Sequence, residues 1–332
     1  MKNIAIVTAD IHVHKYKQFN QNNRRLINVI GYINYLFKFA YKNEINWILF
    51  SGDLYNNMQL IGTEAEDIII ECFHRNFQAN PHITWVAISG NHDHATKNLK
   101  DAPAKTALRH LSVLFPGFLL IDNSAVTIEG VKIHGIPYYE YPEHFMDSLE
   151  YTVEQAIKHE PKNNILLMHQ LVGMDNSLIL EDINPDHKYL QSFHTVFNGH
   201  VHKHSEVREN FINVGSPLHR DAGDIGIPKG FLLFAFDTLE WDYYDLTDKY
   251  PQYIHKTIGE ELTDWEKNQY VIWVPSKQEV LPEDQEIVDN FSSDIKPEKL
   301  FENYVRAALS DDEAKELGVN KDELIEFGLS YL

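Results

Sequence analysis

The chain has 332 residues, 43% apolar and 23% charged, ordinary proportions for a protein that buries a large core. Its formal net charge of −20 repels phosphate backbones and disfavours broad electrostatic binding of nucleic acid, so local cations, metal ions or a basic partner, must draw in any phosphoester substrate. A single cysteine, Cys72, excludes an internal disulfide and a thiolate metal cluster. No apolar run reaches the ~18 residues of a membrane span, and the N-terminus enters a strand pattern without a signal peptide, so a cytoplasmic setting is expected.

Ile4–Val7 reads as a short buried strand ending in Thr8-Ala9-Asp10-Ile11-His12. Residues 22–42 carry Leu26, Ile27, Ile30, Ile33, Tyr35, Leu36, Phe37 and Phe39 as the broad apolar face of a helix. Asn46–Phe50 is the next strand, ending in Ser51-Gly52-Asp53. Residues 63–77 form a second helix, with Thr63 as N-cap and Glu66 in the capping-box position. The run Ile83–Ile88 is a third strand; Gly90 stops it, and Asn91-His92-Asp93-His94 follow. Strand, helix, strand, helix, strand is the α/β rhythm, with parallel strands by default and ligands outside their carboxyl ends.

Residues 104–115 read as a short helix. From Phe118 to Tyr139, turns at Asp122-Asn123 and Glu129-Gly130 separate short strands, which predicts a switch to antiparallel pairing. A helix over 143–159 follows, then a strand Ile165–Met168 ending in His169, and a strand Thr195–Phe197 ending in Asn198-Gly199-His200-Val201-His202. Further short strands are expected around 211–214, 231–236 and 241–244. The composition shifts after about Lys249. Pro251, Pro275 and Pro282, with a strand over Tyr270–Val274, suggest a small separate module over 250–290. Residues 291–332 read as an acidic helical segment, with Pro297 at a helix N1 position and an apolar stripe through Leu300, Phe301, Tyr304, Val305, Ala308 and Leu309.

Five strand ends thus carry Asp-x-His, Gly-Asp, Gly-Asn-His-Asp, His and Gly-His-x-His, in that order. Each alone is an ordinary polar turn. All five, each closing a buried strand, have no packing reason to recur. Carboxylate and imidazole suit manganese, iron or zinc, and the lack of thiolate argues against a structural zinc site. Two ions ~3.5–4 Å apart need a bridging anion, which an aspartate can supply. His200 and His202 point the same way in an extended segment, whereas a turn there would send them to different ions.

Over about residues 1–245 these motifs resemble the calcineurin-like metallophosphoesterases. The resemblance implies one ion held by Asp10, His12, Asp53 and His202 and another by Asp53, Asn91, His169 and His200, with Asp53 bridging. Manganese is the first expectation, with magnesium, iron and zinc as alternatives. A catalytic role is implied for His92, contacting the scissile phosphate and assisting the leaving group, with Asp93 orienting it. The implied fold is a four-layer α/β sandwich of two mixed sheets flanked by helices.

Within that superfamily the chain looks most like SbcD-type double-strand-break nucleases and their tailed-phage relatives, through Thr8–His12, Gly52-Asp53-Leu54-Tyr55, Gly215-Ser216-Pro217 and Lys229-Gly230-Phe231. This likeness implies a nuclease domain over 1–249, a cap or DNA-recognition module over 250–290 and a C-terminal segment, 291–332, that binds an SbcC-type coiled-coil ATPase. It further implies a homodimer within that complex, single- and double-stranded DNA ends as substrate, a part in recombination and repair, and, for a phage-encoded chain, the host cytoplasm. Asn56 departs from branches with a histidine three residues after the bridging aspartate. His14, His94 and His204 read as rim residues. Arg220 reads equally as a phosphate contact or a surface salt bridge. The alternatives are a phosphatase or cyclic-nucleotide phosphodiesterase with the same metal core, and a non-enzymatic scaffold. A scaffold has no physical need for His92.

Overall fold

Alternation along Ile4–Thr8 (β1) sets the layers: Ala5 and Val7 face one apolar core and Ile6 faces another. The structure, a computed structural model, describes residues 3–16, 18–19, 21–56, 63–94, 105–157, 163–171, 184 and 186–274. β1 lies in a six-stranded sheet with β2 (Trp47–Phe50), β3 (Thr84–Ala87) and β4 (Phe118–Leu120) parallel on one side. On its other side are β11 (Gly230–Ala235) and β12 (Trp241–Asp245), each antiparallel to its neighbour.

A second six-stranded sheet runs in the order β5 (Ser124–Ile128), β6 (Val131–Ile136), β7 (Asn164–His169), β8 (Thr195–Gly199), β10 (Phe211–Asn213) and β9 (Ser205–Arg208). Its four central strands are parallel and its two edge strands antiparallel. Val7, Leu49, Val86 and Leu232 of the first sheet pack on Ile133, Ile165, Leu167 and Phe197 of the second. The outer face of the first sheet is covered by α1 (Arg24–Lys42), α2 (Thr63–Ala79) and α3 (Leu108–Leu114), with Ile33, Phe37, Phe73 and Leu111 against Ile48, Phe50 and Trp85. The outer face of the second carries α4 (Pro142–Ile157), whose Phe145, Leu149 and Val153 meet Leu166, Met168 and Val196. The four-layer α/β sandwich implied by the resemblance is the fold.

Several local expectations shift. Ile27, placed on the apolar face of the first helix, is 61% exposed. The helix expected over 104–115 begins only at Leu108, because Thr106 is held in a bridge to His94. Antiparallel pairing does not begin at Phe118: β4 adds parallel to β3, and the switch comes at the β5–β6 hairpin, where the chain enters the second sheet. β9 and β13 (Tyr253–Thr257) were not foreseen; β13 pairs with β14 (Tyr270–Val274) as a two-stranded sheet.

The chain divides into two compact units, residues 1–255 with 262–272, and residues 256–261 with 273–332. The second is described only at 256–261 and 273–274; residues 275–290 of the 250–290 module and all of the 291–332 segment lie outside the described residues. Among the described residues no helix is long and apolar enough to cross a membrane.

Candidate metal centre

The carboxyl ends of β1, β2 and β3 in one sheet and of β7 and β8 in the other bring the candidate ligands into one cluster, as expected where parallel strands end. The turns there are locally strained. Asp10, His12, Asp53 and His200 all have left-handed backbone, with φ between 51° and 73°, a conformation costly for residues with a Cβ. Hydrogen bonds hold them in it: the Asp10 N–H donates to the Gly52 carbonyl (2.9 Å), and the His12 N–H to the Asp53 carbonyl (3.0 Å). Gly90 is needed for close approach, since a Cβ there would run into Asp53 Oδ1.

Asp53 is central. Its Oδ2 lies 3.3 Å from His169 Nε2, 3.6 Å from His12 Nε2 and 4.0 Å from His92 Nε2, while Oδ1 accepts the His92 backbone N–H at 2.8 Å. Asp10 Oδ1 lies 3.6 Å from His12 Nε2 and 3.7 Å from His202 Nε2. The Asn91 side-chain oxygen lies 3.1 Å from His169 Nε2 and 3.0 Å from His200 Nδ1. The turn at His200 therefore separates the two histidines of Gly-His-x-His: His200 meets Asn91, and His202 meets Asp10 and His12, with 3.3 Å between the His12 and His202 Nε2 atoms.

These spacings fit metal ligation. Bonds of about 2.1 Å to one ion put neighbouring donor atoms roughly 3 Å apart. Asp10 Oδ2 and His12 Nδ1 are buried with no hydrogen-bond partner, and a buried carboxylate oxygen left unpaired is costly unless a cation satisfies it. Three overlapping groups have ligand atoms within 4.8 Å of one another: Asp10, His12 and His202; Asp10, Asp53 and His169; and His12, Asp53 and His92. The His169 Nδ1–H donates to the Ser51 carbonyl at 2.7 Å, which leaves Nε2 facing the cluster.

The charges follow from burial and neighbours. Burial pushes the Asp10 carboxyl up to about 7, against the pull of His169. Burial also opposes charge on Asp53, but His169, His12 and His92 outweigh it and hold this carboxyl well below the usual range. His169 responds in kind: burial favours its neutral form, and Asp53 raises it to about 9. Burial drives His12 well below the ordinary value, His200 down to about 4 and His202 down to about 3, so their lone pairs are free for a cation.

His92 stands at the mouth, its side chain 34% exposed, with Nδ1 hydrogen-bonded to the Asn56 carbonyl. Asp93 does not touch the His92 ring. Its carboxylate accepts the backbone N–H groups of Asp53 (2.8 Å), Gly90 (2.9 Å) and Tyr55 (3.0 Å), so its hold on His92 runs through the backbone of the 90–93 turn. Burial and the charge of Asp53 push the Asp93 carboxyl up to about 8, while the N–H donors pull the other way. His94 is buried with neither ring nitrogen partnered, and His204 stacks on Tyr243 at 4.5 Å. His14 packs edge-on against Tyr16.

Some contributors carry no local sequence signal: the Ser51 carbonyl, Tyr138 stacked 5.8 Å from His200, and a buried Asp224–Lys229 ion pair behind His202. Arg220 is no surface salt bridge, since its guanidinium lies against His202 and Asn56.

Exonuclease subunit 1 of enterobacteria phage T4 is 26% identical over 226 residues, which is 66% of this chain and 61% of that protein. The chain therefore aligns with less than two thirds of that relative's length. The sequence profile described as calcineurin-like phosphoesterase matches residues 5–204, which include every candidate ligand and His92. Both sides of the cluster lie inside that match, and the chain belongs to the calcineurin-like phosphoesterase family, hydrolases that work at a dinuclear metal site.

Proposed function

We propose that the protein is a metal-dependent DNA nuclease, hydrolysing phosphodiesters at DNA ends as the SbcD-like nuclease subunit of a complex with an SbcC-type coiled-coil ATPase, in recombination and repair. The observation that carries this reading is the similarity to a phage exonuclease subunit across the region that holds the cluster. In this reading Asp10, His12, Asp53 and His202 hold one ion and Asp53, Asn91, His169 and His200 the other, with manganese as the metal. Bound there, two divalent cations lower the pKa of water and neutralise charge on the phosphate oxygens.

The chain's own residues do the rest. His92 faces the cluster with Nε2 while Nδ1 is held at the Asn56 carbonyl. In the protonated ring the mobile proton is the one on Nε2, which His92 gives to the departing oxygen. Asp93 braces the Asp53 and Gly90 backbones, fixing the shared ligand and the turn that carries His92. In this reading the ATPase supplies basic surface to offset the net charge of −20, and residues 291–332 are the segment proposed to bind it. The same negative charge favours a second reading, a phosphatase or cyclic-nucleotide phosphodiesterase acting on small phosphoesters.

The test is cleavage of linear double-stranded DNA with manganese or magnesium, alone and with a co-expressed ATPase, beside p-nitrophenyl phosphate and cyclic nucleotides. The nuclease reading expects manganese-dependent shortening of linear DNA, and loss of ATPase co-purification when 291–332 are deleted. Turnover of the small esters with no action on DNA selects the second reading.

A further inference from the structure

Arg220 lies eighteen positions beyond the last candidate ligand, yet its guanidinium meets the metal cluster. Nη1 donates to the His202 ring, 2.6 Å from Nε2 and 3.2 Å from Nδ1, and Nη2 donates to the Asn56 side-chain oxygen at 3.1 Å. Its Nε is buried with no hydrogen-bond partner. Among the described residues no carboxylate lies within ion-pair distance of this guanidinium. A partly buried guanidinium that feels the charge of Asp10 but touches no carboxylate keeps N–H groups to offer a further anion.

The backbone around Arg220 is fixed from both sides. Its N–H donates to Asp224 Oδ2 at 2.6 Å, and its carbonyl accepts from Arg25 Nη2 at 2.6 Å. The Arg25 guanidinium is itself seated 3.6 Å from the centre of the Tyr16 ring. The other Asp224 oxygen pairs with Lys229 Nζ at 2.5 Å, and Lys229 also donates to the His202 carbonyl (3.1 Å) and to Ser216 Oγ (2.8 Å). One buried ion pair thus ties the peptide of Arg220 to that of His202. Such fixing suits a group that must meet a ligand at a set place.

We propose that Arg220 is a substrate-binding residue whose guanidinium takes a non-bridging oxygen of the phosphoester. The inference rests on the phosphoesterase reading of the cluster. Nη1 sits within 3.2 Å of both ring nitrogens of His202, against the face of the ring, so this contact leaves the in-plane Nε2 lone pair free for a metal. A ring face is a weak acceptor, and a phosphate oxygen gives the Arg220 N–H groups a charged one. Guanidinium matches phosphate with parallel donors, where an ammonium offers only a point charge.

The test uses the full chain, with Arg220→Gln and Arg220→Lys beside wild type, and calorimetry as the primary readout. Manganese is titrated first, then inorganic phosphate into the manganese-loaded protein. Arg220→Gln is expected to bind manganese as tightly as wild type or more tightly, and to bind phosphate about 10–100-fold more weakly, the range for a hydrogen bond to a charged group. Arg220→Lys should fall between the two in phosphate affinity. With bis(p-nitrophenyl) phosphate, a diester that makes no demand for DNA, KM should rise by a similar factor and kcat should change less. Parallel weakening of manganese and phosphate in both variants would mean that Arg220 only props up His202, and unchanged phosphate affinity would remove it from the substrate; either result overturns the proposal. Failure of the nuclease reading looks different: wild type cleaves the small diester, leaves DNA intact, and the Arg220 variants still lose phosphate.

Discussion

His169 Nε2 and Asp53 Oδ2 face each other at 3.3 Å across the junction of the two sheets, one from the end of β7 and the other from the end of β2. With the pKa of His169 raised to about 9 by Asp53, this pair is a charged imidazolium–carboxylate contact at neutral pH, and in the proposed reading a divalent cation bound here would replace that proton.

Asp53 is the one residue assigned to both ions, and its neutral amide should fail both. Asp53→Asn is expected to reduce the metal content from two equivalents per chain to less than one, counted by mass spectrometry after manganese loading and desalting. The amide keeps the shape and loses the charge that holds two cations close together. Two full equivalents in the variant would remove Asp53 as the shared ligand.

Metal binding should release protons. Ligating imidazoles must be neutral and carboxylates ionised, whereas Asp10 titrates near 7 and His169 near 9 without metal. Both groups therefore hold protons at the acidic end of that range and lose them as pH rises through it. Manganese affinity is expected to climb with pH between about 7 and about 9 and to flatten above. Calorimetry in buffers of different ionisation enthalpy reads the proton count directly; an affinity independent of pH over this range would contradict the assigned charges.

The close approach at Gly90 gives a stability prediction with an internal control. A Cβ at Gly90 meets Asp53 Oδ1 and the Asp53 backbone, whereas one at Gly31, within α1, meets nothing within 4 Å. Gly90→Ala should destabilise by about 1–3 kcal/mol, as overpacking does. Gly31→Ala should stabilise by up to about 1 kcal/mol, the helix preference for alanine. Urea unfolding of the metal-free protein measures both, and equal midpoints for the two variants would refute the packing argument.

Much of the cluster was legible because its residues directly follow apolar runs. Asp10, Asp53 and Asn91 come just after Ile4–Val7, Trp47–Phe50 and Ile83–Ile88, so their place at strand ends needs only periodicity and the α/β rhythm. Which sheet a strand joins is not a local property. Phe118–Leu120 and Ser124–Ile128 look alike as short strands, yet one closes the first sheet and the other opens the second. Ser205–Arg208 was missed because an edge strand of four residues with alternating exposure leaves little apolar signal. The left-handed turn at His200 was open in the sequence, since extended and turned backbones send its side chain to different places. Arg220 reaches the cluster along a path set by the Asp224–Lys229 pair, and no spacing rule reveals that.

His92 sits in one of the three groups able to hold a metal, alongside His12 and Asp53, and also at the mouth, where a leaving group would depart. In the proposed reading His92 acts in the chemical step and His202 holds metal. The manganese dependence of DNA cleavage by His92→Gln and His202→Gln tests that division most directly. His92→Gln is expected to lose roughly 10²–10⁴-fold in turnover, the usual worth of general acid help, and no excess of manganese should repair it. His202→Gln is expected to show a loss that excess manganese partly restores. Rescue of His92→Gln by manganese, with His202→Gln left unrescued, would contradict this reading.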